Sequence, residues 1–214
     1  RSRTQLGLPG LQQELLEKVA AVNPNIVLVV MNGRPLILNW AAENVPAIVE
    51  AWHLGTQSGN AIAQVLYGDY NPSGKLPMSF PRSVGQLPLY YNQKSTGRPG
   101  ADGEDAGSVF WSHYGDEKNS PLFPFGFGLS YTQFEYSQVQ LSATTLNRGE
   151  SITATVEVKN TGAVKGKEVV QLYLQDPYAS ATRPVKELKG FQMVDLEPGE
   201  RKEVRFTITE ADLK

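Results

Sequence analysis

The chain has 214 residues and a formal net charge of −2, a balance that offers no electrostatic footprint for nucleic acid or an anionic membrane surface. It contains no cysteine, which excludes disulfides, thiolate zinc sites and cysteine nucleophiles. The longest apolar run, Ile26–Met31, is far short of the ~20 residues needed to cross a bilayer, and no basic stretch followed by an apolar one marks a signal peptide.

From Leu8 to about Phe80 the pattern alternates between helix and strand. Leu11, Leu15, Val19 and Val22 share one face at helical spacing. Asn23-Pro24-Asn25 ends that helix, because proline disfavours helical backbone in the residue before it. Ile26–Met31 is an unbroken apolar run, as expected of a parallel strand covered on both faces. Asn32-Gly33-Arg34-Pro35 breaks it, and Leu36–Leu38 reads as a short extended piece. Val45–Trp52 is expected to be helical, with Pro46 in the first turn. Gly59–Leu66 predicts a further helix with Ile62, Val65 and Leu66 inward, and a turn at Ser73-Gly74-Lys75 leads into a strand over Leu76–Phe80. This is α/β material.

Ser83–Gly128 is rich in glycine, proline and polar residues, and the Gly97–Gly107 stretch has the composition of a loop. A segment this long without regular structure is more often functional or disordered than part of a compact domain. Phe123, Phe125 and Phe127 then fall two apart. Extended backbone puts the three rings on one side, for packing at a domain junction or for stacking on a sugar.

Beyond Tyr131 the period becomes two. Ile152, Ala154, Val156 and Val158 alternate with polar neighbours, as do Val170, Leu172 and Leu174, and again Val204, Phe206 and Ile208. Turn signals at Asn147-Arg148-Gly149, Asn160-Thr161-Gly162 and Glu197-Pro198-Gly199 separate them. Half-buried strands at this spacing predict an antiparallel β-sandwich. Strands are expected near Tyr131–Leu141, Ser151–Lys159, Glu168–Gln175, Val185–Val194 and Arg201–Thr209, five runs against the about seven of this class.

Most motifs that would carry chemistry fail on inspection. Ser73-Gly74-Lys75-Leu76 resembles the end of a phosphate-binding loop, but Asp69 stands where glycine is needed and Leu76 where Ser or Thr would hold magnesium. No glycine loop follows Ile26–Met31, which counts against a nucleotide-binding domain. His53 and His113 are the only histidines, without metal-ligand spacing, and no Gly-x-Ser-x-Gly elbow occurs. Glu104, Asp105, Asp116 and Glu117 cluster in the long loop. Paired carboxylates can serve acid/base chemistry, but a solvated acidic loop is the favoured account of these four.

Several motifs in order carry a family resemblance. They are Leu8-Pro9-Gly10, Asn32-Gly33-Arg34-Pro35, the run from Ala51 through Pro81, Pro81-Arg82-Ser83-Val84-Gly85-Gln86-Leu87-Pro88, Pro124-Phe125-Gly126-Phe127-Gly128-Leu129-Ser130-Tyr131-Thr132 and Arg183-Pro184-Val185-Lys186-Glu187-Leu188-Lys189-Gly190-Phe191. The chain resembles the C-terminal part of family-3 glycoside hydrolases of the bacterial periplasmic β-glucosidase type, a group that includes β-xylosidases. The resemblance implies an α/β sandwich domain in part, residues 1–128 with the linker, followed by a fibronectin type III-like sandwich over 129–214 that is itself incomplete.

The resemblance further implies a retaining mechanism that releases terminal β-D-glucosyl residues, with no metal or cofactor. In the family the catalytic aspartate lies in an N-terminal (β/α)8 barrel and the acid/base glutamate just ahead of the segment matched by Arg1-Ser2-Arg3-Thr4. Neither is expected in this chain, so no catalytic residue is assigned, and the isolated chain is expected to be inactive. Arg1 and Arg3 would lie near that glutamate, shaping its loop or touching sugar hydroxyls. His113 and Tyr114 are candidates for a subsite rim. The implied partners are a β-glucoside or oligosaccharide and the barrel, in the same or a separate chain, with no nucleic acid and no membrane. A homodimer is also admitted, since loops such as Ser95–Gly107 can cross a dimer axis in relatives. The implied location is periplasmic or secreted. The competing reading is a non-catalytic sandwich module that binds carbohydrate or protein.

Overall fold

The computed structural model describes residues 3–99 and 110–213. The chain divides into two compact units. The first comprises residues up to Leu66 together with Leu76–Tyr91 and Thr96–Phe125, and the second Tyr67–Lys75, Asn92–Ser95 and Gly126 onward.

In the first unit, helix α1 (Gln12–Val22) leads into strand β1 (Val27–Val30), followed by helix α2 (Asn39–Asn44), strand β2 (Ala47–Glu50) and helix α3 (Ser58–Leu66). β1 and β2 are parallel, with Val27 opposite Ala47 and Val30 opposite Glu50. The core gathers Val30, Leu36, Leu38, Ala41, Val45 and Phe80. The Phe80 ring lies 5.9 Å from Trp52 and meets Phe123 edge-on at 6.2 Å. Phe125 stacks on Tyr91 at 4.1 Å. Two of the three alternating phenylalanines therefore pack within this unit.

Two expectations need correction here. Val45–Trp52 is not a helix: the helix falls earlier, at α2, and residues 47–50 form β2. A short apolar run fits either period, and the parallel partner β1, distant in sequence, decides it. Leu76–Phe80 is not a strand either. Phe80 makes an isolated bridge to Phe123, and its amide donates to the Phe123 carbonyl at 2.8 Å. The apolar face of α1 is present but uncovered, with Leu15 63% and Val22 84% exposed.

The second unit holds strands β3 (Phe134–Tyr136), β4 (Gln140–Leu141), β5 (Ser151–Asn160), β6 (Gly166–Leu174), β7 (Glu187–Leu196) and β8 (Arg201–Thr209). β5 pairs antiparallel with β8 on one edge and with β3 and β4 on the other. β6 and β7 form a second antiparallel sheet. Val156, Val158 and Val204 of the first sheet meet Val170, Val194 and Leu196 of the second, which is the sandwich that the two-residue period predicts. The expected strand over Tyr131–Leu141 is broken in two. At the break, the Ser137 amide donates to the Glu157 carbonyl at 2.9 Å, and Ser137 Oγ accepts the Glu157 amide at 2.9 Å.

The stretch Tyr67–Lys75 is fastened inside this unit. Asn71 Nδ2 donates to the Lys165 carbonyl at 3.0 Å, and its Oδ1 accepts from the Tyr131 amide at 2.8 Å. Lys75 Nζ donates to the Gly128 carbonyl at 2.9 Å and pairs with Glu168 at 3.1 Å. The Pro-Phe-Gly-Phe-Gly motif has a steric reason at two positions. Gly126 adopts φ +79°, a left-handed conformation that glycine takes without strain, and a Cβ at Gly128 would collide with the Gly74 carbonyl.

Candidate functional site

In open parallel sheets, ligands and functional groups collect at the carboxyl ends of the strands. The parallel register puts Val30 beside Glu50, so the residues following each strand converge. Asn32 Nδ2 donates to Glu50 Oε2 at 3.4 Å, and the Trp52 amide donates to Glu50 Oε1 at 3.0 Å. Glu50 thus holds the turn after β2 in shape. Trp52 needs that support, being the one non-glycine residue with positive φ (48°) among the described residues, a conformation disfavoured for a bulky side chain. Burial raises the Glu50 carboxyl above its ordinary value, opposed by the hydrogen bonds from Trp52 and Asn32. Asn32 is itself buried, and its Oδ1 has no hydrogen-bond partner in the structure.

Gly33 sits close to a side chain next to this cluster. A Cβ on Gly33 would lie 3.1 Å from His53 Nε2, so the imidazole occupies the space a side chain would take. Arg34 Nη2 donates to the Gln5 carbonyl at 3.3 Å, and Arg3 Nη2 to the Gly7 carbonyl at 3.1 Å. Both guanidiniums tie backbone near the carboxyl end of β1, and both line the groove that runs along α1 and β1.

Of the residues singled out from sequence, Arg1 lies outside the described residues. Arg3 is exposed, with the loop-shaping bond just given. His113 and Tyr114 sit in a separate turn. The ring Nδ1 of His113 lies 2.7 Å from the Trp111 carbonyl, the Tyr114 amide donates to Asn119 Oδ1 at 3.0 Å, and Asn119 Nδ2 donates to the Ser112 carbonyl at 2.8 Å. These contacts close the turn upon itself, and none reaches Arg3 or Asn32. Glu104 and Asp105 also lie outside the described residues. Asp116 is exposed, and Glu117 Oε1 accepts the Lys118 amide at 2.9 Å. Among the described residues no group of three His, Cys, Asp or Glu could hold a metal ion.

Sequence reasoning missed the Asn32–Glu50–Trp52 cluster. The usable signal was Asn32-Gly33-Arg34-Pro35 directly after a parallel strand. Glu50 gave none, because its position at a strand end depends on the pairing of β2. As it stands the cluster fixes backbone and presents a buried amide oxygen. It offers no pair of carboxylates flanking a space for a glycosidic bond.

Comparison with known proteins places this geometry. The profile of the glycosyl hydrolase family 3 C-terminal domain matches residues 1–131, and that of the fibronectin type III-like domain matches residues 168–214. The chain is 53% identical over 213 residues to a periplasmic beta-glucosidase of Salmonella typhimurium, covering 100% of this chain and 28% of that protein. It is 47% identical over 206 residues to a beta-xylosidase of Formosa agariphila, covering 96% of this chain and 27% of that one. Among solved structures, the beta-glucosidase of Listeria innocua in complex with glucose superimposes with a TM-score of 0.92 at 45% identity, over 97% of this chain and 28% of that one. The chain thus spans little more than a quarter of the length of these relatives.

Proposed function

Since the chain belongs to glycosyl hydrolase family 3, we propose that it is the C-terminal scaffold of an enzyme that hydrolyses terminal non-reducing β-D-glucosyl residues by retaining double displacement. The observation that carries this reading is the 53% identity to a periplasmic beta-glucosidase along the whole chain, within 28% of that protein's length. In such a mechanism one carboxylate attacks the anomeric carbon while a second carboxylic acid protonates the leaving oxygen. Water then hydrolyses the glycosyl-enzyme, with the second group acting as base. Both carboxylates belong to the rest of the enzyme in this reading, and the mechanism calls for no metal or cofactor.

The chain's own contribution is rigidity. We assign residues 1–128 to an α/β domain that walls the cleft and 129–214 to a fibronectin type III-like sandwich. Arg1 and Arg3 order the loop that approaches the sugar, and His113 and Tyr114 stand at the rim of a subsite. The complete protein works in the periplasm or outside the cell on β-glucosides or oligosaccharides, and a homodimer is part of this reading. The identity to a beta-xylosidase supports a xylosyl substrate as the second reading.

The test is an assay of the complete protein on aryl β-D-glucoside and aryl β-D-xyloside, with the anomer first released followed by NMR. Glucoside turnover with retention supports the proposal. Preference for xyloside selects the second reading, and turnover of neither overturns both.

A further inference from the structure

Strand β2 runs into a strained turn, and the residue that this turn delivers is His53. Trp52 keeps a positive φ of 48°, and Glu50 commits one carboxylate oxygen to its amide at 3.0 Å. Backbone in so sparsely populated a region persists where its surroundings enforce it, and such residues gather at functional sites. The turn follows the carboxyl end of β2 beside β1, the end of a parallel sheet where ligands collect. Packing places the His53 ring. Its Nε2 and Cδ2 lie 3.1 and 3.5 Å from where a Cβ on Gly33 would stand, and no other ring atom comes within 4 Å. The residue is exposed, and among the described residues no hydrogen bond or ion pair engages either ring nitrogen. A histidine that serves structure commonly ties one nitrogen to a carbonyl or carboxylate, and His113 has its Nδ1 beside the Trp111 carbonyl in this way. His53 has both nitrogens uncommitted.

We propose that His53 is a substrate-contact residue, hydrogen-bonded through its imidazole to one hydroxyl of the β-glucoside or oligosaccharide. The chemistry suits a neutral sugar. A neutral imidazole offers one donor and one acceptor, and a hydroxyl can both give and take a hydrogen bond. Nδ1 lies beyond the 4 Å contact with position 33 and is the nitrogen that makes the bond. The contact with Gly33 restricts the ring before the ligand arrives, which lowers the ordering cost of binding. The inference rests on the reading of the chain as part of a glycoside hydrolase, and it adds a residue that sets affinity without taking part in bond cleavage.

The test uses the complete protein with cellobiose and xylobiose. His53→Ala is expected to raise KM for the preferred disaccharide by roughly 5-fold or more, the effect of one lost hydrogen bond, with kcat and the melting temperature unchanged. His53→Asn places an amide at the reach of Nδ1 and is expected to restore most of the loss. Gly33→Ala crowds the ring. It is expected to raise KM in the parent but not in the His53→Ala background, a coupling that a double-mutant cycle reads. A KM that His53→Ala leaves unchanged on both disaccharides overturns the proposal. So does a loss of kcat that follows a lowered melting temperature, which marks a structural role. Turnover by the parent reports on the functional reading, and the ratio of variant to parent reports on His53. If the parent turns over neither disaccharide, titration calorimetry gives the same ratio from their affinities, and equal affinities overturn the proposal.

Discussion

The hydroxyl of Thr132 donates a 2.6 Å hydrogen bond to the side-chain oxygen of Asn160, a residue with no exposure to solvent. The same oxygen accepts the Gly162 amide at 3.0 Å, while Nδ2 donates to the carbonyls of Val164 at 2.8 Å and Leu196 at 3.1 Å. One side chain therefore satisfies the turn after β5, the approach to β3 and the end of β7. Asn160→Ala deprives the buried Thr132 hydroxyl and the buried Leu196 carbonyl of these bonds. It is expected to lower stability by about 2–4 kcal/mol, read as an earlier urea midpoint with an unchanged slope. A midpoint that does not move shows that the network is replaceable.

Lys75 and Glu168 pair at 3.1 Å, with their side chains only 16% and 11% exposed, and Tyr136 donates to the other Glu168 oxygen at 2.8 Å. Burial, assisted by the adjacent carboxylate, pushes the Tyr136 phenol above its ordinary value. Lys75→Met strands a buried carboxylate and is expected to cost about 3–5 kcal/mol. The double variant Lys75→Met/Glu168→Gln restores much of that loss, because no unpaired charge remains. A double-mutant cycle in denaturant measures the coupling, and additive losses refute it.

Glu50 links stability to pH. Burial holds its folded carboxyl above the ordinary value of 4.5, so its favourable contribution is full below that value and is lost as pH rises through the folded value. Glu50→Gln keeps an acceptor for the Trp52 amide and removes the charge. Its stability relative to the parent is expected to improve on moving from about pH 4 to about pH 7, by no more than roughly 1 kcal/mol because the group is half exposed. Melting curves at the two pH values check the sign. A relative stability that falls with rising pH contradicts the argument.

The sandwich was readable because its strands carry a burial pattern that a local window detects. Ile152, Ala154, Val156 and Val158 are all buried, each flanked by more exposed neighbours along β5. The helices α1 and α3 were readable from their helical apolar spacing, although neither holds a buried residue and Leu66, expected inward, is exposed. Val45–Trp52 was not, because only the pairing of Ala47–Glu50 with Val27–Val30 makes it a strand. The site divides similarly. Arg3, His113 and Tyr114 were reached through resemblance, and the structure gives them contacts within their own turns. Asn32, Glu50 and Trp52 come together through a parallel register that no local pattern records.

The central claim is that this chain supports a sugar-cleaving enzyme without containing its working carboxylates. The most direct measurement is the rate at which the purified 214-residue chain releases nitrophenol from p-nitrophenyl β-D-glucoside, beside the complete protein at equal concentration. The account predicts steady release by the complete protein and none above buffer from the chain. Turnover that co-elutes with the chain alone would contradict it.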